Sequence, residues 1–241
     1  MNVITLKDYE QLSKKAARIL AGKIELEPNT VLGLPTGATP LGMYKRLIEY
    51  YEKEDISFKE ITTFNLDEYI GIKPNHPSSF NNYMYENLFN HIDITEENIF
   101  IPNGNTEDIK KECIQYERNI SQAGGIDLLI MGIGENGHLA FLEPGDSLPV
   151  WTSVVELSEH TRITNSSGFE SIDTVPNKAI TMGIKTILSA DDIVLLASGK
   201  NKAWAVEQML KENITPQIPA TFIKLHEKAT ILLDKEAAAN I

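Results

Sequence analysis

Three short stretches of this chain are apolar at almost every position: DLLIMGIG at 127–134, DIVLLASG at 192–199 and ATILLD at 229–234. A strand with one wetted face alternates apolar and polar side chains, so strands like these must be covered on both faces. TVLGL at 30–34 and ITTFNL at 61–66 read the same way, and AITMG at 179–183 reads as a further strand. Between them apolar residues return at helical spacing. Leu12, Ala16, Ile19 and Leu20 mark a helix over 7–22 with Gly22 as its stop. Further helices are predicted over 40–53, opening on Pro40, and over 79–90, 106–123 and 201–212. This alternation predicts an α/β fold: three layers, with a mostly parallel sheet carrying helices on both faces and closed by the strand at 229–234. Such sheets bind ligands outside the carboxyl ends of their strands. The polar and glycine residues just after each strand are therefore where chemistry is to be sought.

No internal repeat and no Ser/Gly-rich linker divides the 241 residues, so one domain over 1–241 is expected. Against 34 Asp and Glu stand 22 Lys and Arg, a net charge of −12. That excess argues against general binding of nucleic acid or of an anionic membrane. It leaves room for an anionic metabolite, which a local nest of backbone amides can hold. The lone cysteine, Cys113, excludes an internal disulfide framework and a cysteine-cluster metal site. The start, MNVITLKDYEQ, is charged too early for a signal peptide, and no apolar run reaches the ~18 residues of a membrane span. The expectation is a soluble cytoplasmic protein with no membrane partner.

Four segments after strands carry chemistry. In Leu34-Pro35-Thr36-Gly37-Ala38-Thr39-Pro40, two hydroxyls, several amides and a helix start converge, as a phosphate requires. It is neither a Walker loop nor GxGxxG, and an ordinary turn with Thr39 as helix cap fits equally well. In Phe64-Asn65-Leu66-Asp67-Glu68-Tyr69, the two acids point in different directions in any regular conformation, so at most one faces a substrate. Taken alone, that segment reads as a solvated acidic turn. The stretch 132–145, GIGENGHLAFLEPG, sets four glycines around one histidine. Glycines there allow close backbone approach and unusual dihedrals around His138, and Glu143 can hold the imidazole in one tautomer. His76, His91, His160 and His226 show no metal-ligand spacing, so no metal is expected. In Ser198-Gly199-Lys200-Asn201-Lys202, a lysine can meet a phosphate as a point charge.

Together and in this order, LGLPTGATPLGMY, FNLDEYIG with HPSSF, IMGIGENGHLAFLEPG and ASGKNKAWA resemble the glucosamine-6-phosphate deaminase (isomerase) family over nearly the whole chain. The wider superfamily includes 6-phosphogluconolactonases, which lack this pairing of NLDEY with GENGHLAFLEP. The resemblance implies a small-molecule amino-sugar phosphate as substrate. It also implies ring opening, aldose–ketose isomerisation to fructose 6-phosphate and release of ammonia, without metal or organic cofactor. Asp67 would move a proton between C2 and C1. His138 would assist ring opening at O5 with Glu143 as its partner, and Asn136, which cannot ionise, would orient His138 or the substrate. Thr36, Gly37, Ala38, Thr39, Gly137 and Lys202 would line the substrate and its phosphate.

The sequence departs from the family in three places. An arginine that grips the phosphate in many members is replaced after Thr161-Arg162-Ile163-Thr164-Asn165-Ser166 by Ser167-Gly168. Lys202 and the threonine loop would then carry the phosphate, or Arg162 would substitute. The basic residues of an allosteric site in some members would fall near Trp151, Ser153 and Val155, none of them basic, so no activation by an acetylated amino-sugar phosphate is expected. EPGDSLP, the lost arginine and PATFIKLH also resemble galactosamine-6-phosphate isomerases, which keeps the C4 epimer open. A mobile active-site lid is expected over about 157–179. Family members range from monomer to hexamer, and self-association into a homo-oligomer is left open. A lactone hydrolase or a non-catalytic sugar-phosphate sensor on the same fold are the competing readings.

Overall fold

The structure is a computed structural model; it describes residues 1–241 apart from Glu212, and for Ser167 the backbone only. In chain order the strands are β1 (Asn2–Leu6), β2 (Val31–Leu34), β3 (Thr62–Asn65), β4 (Asp67–Tyr69), β5 (Ile99–Phe100), β6 (Leu128–Gly132), β7 (Ser153–Glu156), β8 (Lys178–Thr181), β9 (Asp192–Ala197) and β10 (Ala229–Asp234). The helices are α1 (Tyr9–Leu26), α2 (Leu41–Glu52), α3 (Phe80–Asn87), α4 (Ile109–Gln122), α5 (Glu159–Thr164), α6 (Ile184–Leu188) and α7 (Ala203–Lys211).

Seven strands form a parallel sheet in the order β1-β10-β9-β6-β2-β3-β5. Successive side chains of its central strands feed two cores. Leu129, Met131, Leu195, Ile231 and Leu233 pack on one face with Tyr116 and Ile120 of α4, Ile187 of α6 and Val206 and Met209 of α7. Leu128, Ile130, Val194, Leu196 and Leu232 pack on the other with Leu12, Ala16 and Leu20 of α1, Met43 and Leu47 of α2 and Met84 of α3. That is the expected three-layer arrangement, and it explains why the central strands carry no polar alternation. From β2 the chain runs outward through β3 to β5, then returns to the other side of β2 with β6. The strand order therefore reverses between β2 and β6, which is where a sheet of this kind opens a crevice.

Several elements depart from the expectations. Gly22 does not stop α1, which runs on to Leu26. A mid-helix glycine costs about 1 kcal/mol, less than the roughly 1.5–3 kcal/mol from burying an isoleucine, and Ile24 is buried by the extra turn. Thr39 does not cap α2; Pro40 occupies that position and no side chain bonds the first turn's amides. The strand at 229–234 does not close the sheet, because β1 pairs beyond it, Val3 opposite Ile231. The predicted helix 201–212 is a 3-10 turn at Lys200–Lys202 followed by α7, with Glu212 outside the described residues.

The expected strand at 179–183 belongs to a different sheet. β8 pairs antiparallel with β7 and β4, Asp67 opposite Thr181. This three-stranded sheet packs its own small core of Tyr69, Phe141, Leu157 and Ala179. Consequently 67–69 is no solvated turn: Asp67 and Glu68 are buried on a strand that leaves β3 across Leu66. Among the described residues no helix is long and apolar enough to cross a membrane.

Candidate active site

At the β2/β6 reversal the loops after β2, β6 and β9 meet β4 and the 160–169 segment around a cleft of about 680 Å³. After β2 the chain turns at Gly37, whose φ of +94° lies in the left-handed region that favours glycine. Three tyrosines hold this loop by its carbonyls. Tyr44 donates to Pro35 O at 2.5 Å, Tyr83 to Gly37 O at 2.6 Å and Tyr9 to Ala38 O at 3.3 Å. The amides of Thr36, Gly37, Ala38 and Thr39 are paired with no acceptor among the described residues. With α2 starting just beyond, this is an anion nest next to a helix N-terminus.

Lys202 reaches the same cleft from the loop after β9. Asp234, at the end of β10, braces that loop by accepting from the Ser198 hydroxyl at 2.5 Å and from the Gly199 amide at 3.1 Å. Glu135 across the cleft is tied to Asn201 Nδ2 at 2.7 Å. Burial lowers the Lys202 pKa, and the charge of Glu135 partly restores it.

Asp67 lines the cleft, and no donor or cation among the described residues bonds its carboxyl. Burial, and then the neighbouring Glu68, push its pKa well above the ordinary carboxylate value. Glu68 points the other way, as alternation on a strand requires. Its Oε1 accepts from the amides of Tyr69 (2.8 Å) and Phe80 (3.0 Å), and its Oε2 from that of Asn81 (2.9 Å). It thereby binds the first turn of α3, where an anion is electrostatically favoured.

His138 lines the opposite wall. Its carbonyl accepts from Gly134 N at 2.9 Å, folding the ring back over Gly134, where a Cβ would sit 2.3 Å from ring atoms. Burial lowers the imidazole pKa to about 4; Glu143 opposes that and Lys202 adds to it. The ring is therefore neutral at ordinary pH. Glu143 does not bond it directly: Oε2 stands 4.0 Å from Nδ1 and instead accepts from Asn136 Nδ2 at 3.0 Å, while Oε1 accepts from the Thr161 hydroxyl of α5. Asn136 Oδ1 in turn accepts from His138 N at 3.2 Å.

Asp67, His138, Thr36, Gly37, Ala38, Thr39 and Lys202 are thus brought to one cleft. Asn136 and Glu143 stand behind His138. Gly137 is not at the cleft either. Its φ is +84°, its carbonyl accepts from Ala220 N, and a Cβ there would meet Ile218 at 2.7 Å, so it serves the turn. Arg162 does not substitute for a phosphate-gripping arginine. Its guanidinium donates to the carbonyls of Ile172 (2.7 Å) and Val175 (3.2 Å), away from the cleft. The Ser167 side chain lies outside the described residues. Sequence reading missed Tyr83, His160, Thr161 and Glu135, whose placement depends on which loops the sheet brings together. Among the described residues no three His, Cys, Asp or Glu side chains cluster as metal ligands would.

Comparison with known proteins gives the chain a family. The family described as glucosamine-6-phosphate isomerases/6-phosphogluconolactonase matches residues 7–232. A protein of Thermoanaerobacter sp. (strain X514) named glucosamine-6-phosphate deaminase is 54% identical over 241 residues, all of this chain and 95% of that protein. One of the same name from Clostridium novyi (strain NT) is 50% identical over the full length of both. A solved structure described as a monomeric glucosamine-6-phosphate deaminase superposes with a TM-score of 0.97 at 48% identity over all of both chains. A 6-phosphogluconolactonase from Trypanosoma brucei, 22% identical with a TM-score of 0.78 over 100% of this chain and 98% of that one, shares the fold alone. With half its residues identical to such relatives from end to end, the chain belongs to the glucosamine-6-phosphate deaminase/isomerase family.

Proposed function

We propose that this chain converts glucosamine 6-phosphate and water to fructose 6-phosphate and ammonia. The observation that carries the reading is the buried, unbonded carboxyl of Asp67 facing a cleft that also holds a neutral imidazole and a loop of unpaired amides. The phosphate sits on the amides of Thr36–Thr39 with Lys202 as its counter-charge. His138, neutral, takes the proton from the anomeric hydroxyl and returns one to O5, which breaks the C1–O5 bond and opens the ring. Asp67 then takes the C2 proton and returns it to C1, while a proton passes from the C2 amine to the C1 oxygen, so that C1 becomes a hydroxyl-bearing carbon and C2 an imine. One carboxylate serves both carbons because they are neighbours. Water adds to the C2 imine and ammonia leaves. Glu143, held by Asn136 and Thr161, stabilises the imidazolium that forms in the first step.

The names of the full-length relatives support the glucosamine epimer. The segment 157–179 acts as a lid over the single domain. Its Gly168 carbonyl accepts from the Ser78 hydroxyl, and Phe169 packs edge-on to Tyr69 at 5.7 Å, two contacts that can open together. The cleft residues named here all come from one chain, which supports a site that needs no second subunit. A cytoplasmic setting suits the free, buried Cys113.

The test is ammonia release from glucosamine 6-phosphate and galactosamine 6-phosphate, with 6-phosphogluconolactone hydrolysis run beside it. Turnover is expected with the glucosamine ester, and D67N is expected to lose about a hundred- to ten-thousand-fold of it. No ammonia from either sugar would sink the reading; lactone turnover alone would replace it.

A further inference from the structure

We propose that Glu68 is a positioning residue of this reaction: its side chain ties the wall of the cleft to the strand that carries Asp67 and, when ionised, sets a negative charge beside it. The inference rests on the reaction just proposed. Three amides converge on the buried Glu68 side chain, one from its own strand and two from the first turn of α3. The same helix carries Tyr83, whose hydroxyl holds Gly37 of the amide nest, and the residues 77–80 before and at its start line the cleft. A continuous chain of bonds therefore runs from the proton-transferring carboxyl's neighbour, through α3, to the loop that receives the phosphate. Asn65, two residues before Asp67, adds a shorter link by donating from Nδ2 to Leu34 O at 2.9 Å, where the phosphate loop begins.

Burial raises Glu68 to about 7, and above that pH its charge has a second consequence. The titratable groups facing Asp67 are Glu68 and the Tyr69 phenol on its own strand and the Tyr116 phenol from α4, while β8 presents Thr181, which does not titrate. Across the cleft stand His138 and Lys202. Of these, Glu68 is the one that acts on Asp67 besides burial itself, and it strengthens the hold of Asp67 on a proton taken from carbon. Two duties, clamping and charge, can be separated because glutamine keeps most of the first and none of the second. The Tyr69 and Phe80 amides both use Oε1, which a glutamine carbonyl can replace; the Asn81 amide uses Oε2, where an amide nitrogen is a wrong partner.

The experiment measures kcat and KM for glucosamine 6-phosphate across pH for the full-length wild type, E68Q, E68D and Y83F, and titrates the Asp67 carboxyl by carbon-13 NMR. In E68Q the acid limb of kcat and the Asp67 titration are expected to move down by about one pH unit, with KM raised. In E68D the charge stays but the shorter side chain cannot reach α3, so KM rises and the acid limb holds. Y83F raises KM with the acid limb in place. An Asp67 titration that coincides in E68Q and wild type overturns the proposal, as does unchanged KM in E68D and Y83F. If E68Q does not fold, those last two variants decide. If the wild type turns over neither sugar, the proposed reaction fails, and the NMR titration still judges Glu68.

Discussion

His138 and Glu68 oppose one another in how they couple folding to protons. Burial lowers the His138 pKa from 6.5 to about 4, so on acidification the unfolded chain takes up a proton that the folded one refuses. Stability is lost as pH falls from about 6.5 towards 4. Burial raises Glu68 from 4.5 to about 7 against three amides that pull it down, so the folded chain holds a proton the unfolded one has released. That contribution is present below about 4.5 and is lost as pH rises through about 7. We expect H138N to narrow the gap in urea-unfolding free energy between pH 7 and pH 5, measured against wild type; an equal gap in both would show the imidazole carries no such cost. Asp67 belongs to the same scale. Its raised pKa places the acid limb of kcat above the ordinary carboxylate range, while His138, already neutral above about 4, leaves no limb near 6.5. A pH–rate profile with its only acid limb at pH 4 or below contradicts this assignment.

At the scale of elements, the loop after β6 shows why glycines surround a histidine. Gly134 lies under the ring of His138, and no side chain fits there. G134A is expected to lower kcat at least about ten-fold by displacing the ring, a geometric loss of the kind that follows a misplacement of about 1 Å. Its melting temperature should change little beside that, since Gly134 is in a cleft loop rather than in either core; unchanged kcat in a folded G134A would count against the ring's role. The ends of the 157–179 segment are fixed, Leu157 and Ala179 in the small core and Leu157 N on Asn177 O, and its middle rests on the cleft through Thr161 on Glu143, Gly168 on Ser78 and Phe169 against Tyr69 and His76. Arg162 stiffens it from within through Ile172 and Val175. Hydrogen exchange over 157–179 should slow when a non-reacting sugar phosphate binds, while β6 and β9 stay as they were. Equal slowing everywhere, or none at the segment, would remove the lid.

For the molecule as a whole, the two cores share the central strands, so β6, β9 and β10 hold both faces at once. Leu195→Ala should cost about 2–5 kcal/mol of unfolding free energy, as truncation at a fully enclosed leucine does. Rate curves are expected to stay hyperbolic when an acetylated amino-sugar phosphate is added, because Trp151, Ser153 and Val155 carry no charge of their own and the neighbouring Lys185 ammonium lies over the Trp151 ring, 4.3 Å from its centroid; activation would overturn that. The three-layer sheet was legible because residues apolar at consecutive positions admit few other placements, and the segments after those strands were legible as cleft residues for the same reason. Short-range signals were weaker guides. Gly22 was a plausible stop until the burial of Ile24 outweighed it, and Asp67-Glu68 looked solvated because nothing local announces a strand of a second sheet. Sequence by itself determined the class of fold, the loops that bear chemistry and the histidine set among glycines, since these follow from side-chain type and periodicity; the part played by Asp67 came from the family resemblance of the surrounding motifs. Only the tertiary structure decided which of two adjacent acids faces the cleft, that Arg162 spends its guanidinium on backbone carbonyls, and that Glu143 stands back from the ring. The first of these depends on antiparallel pairing between residues more than a hundred positions apart, Asp67 and Thr181, which no local pattern encodes; the other two depend on how a loop folds back on itself, which side-chain type alone does not specify.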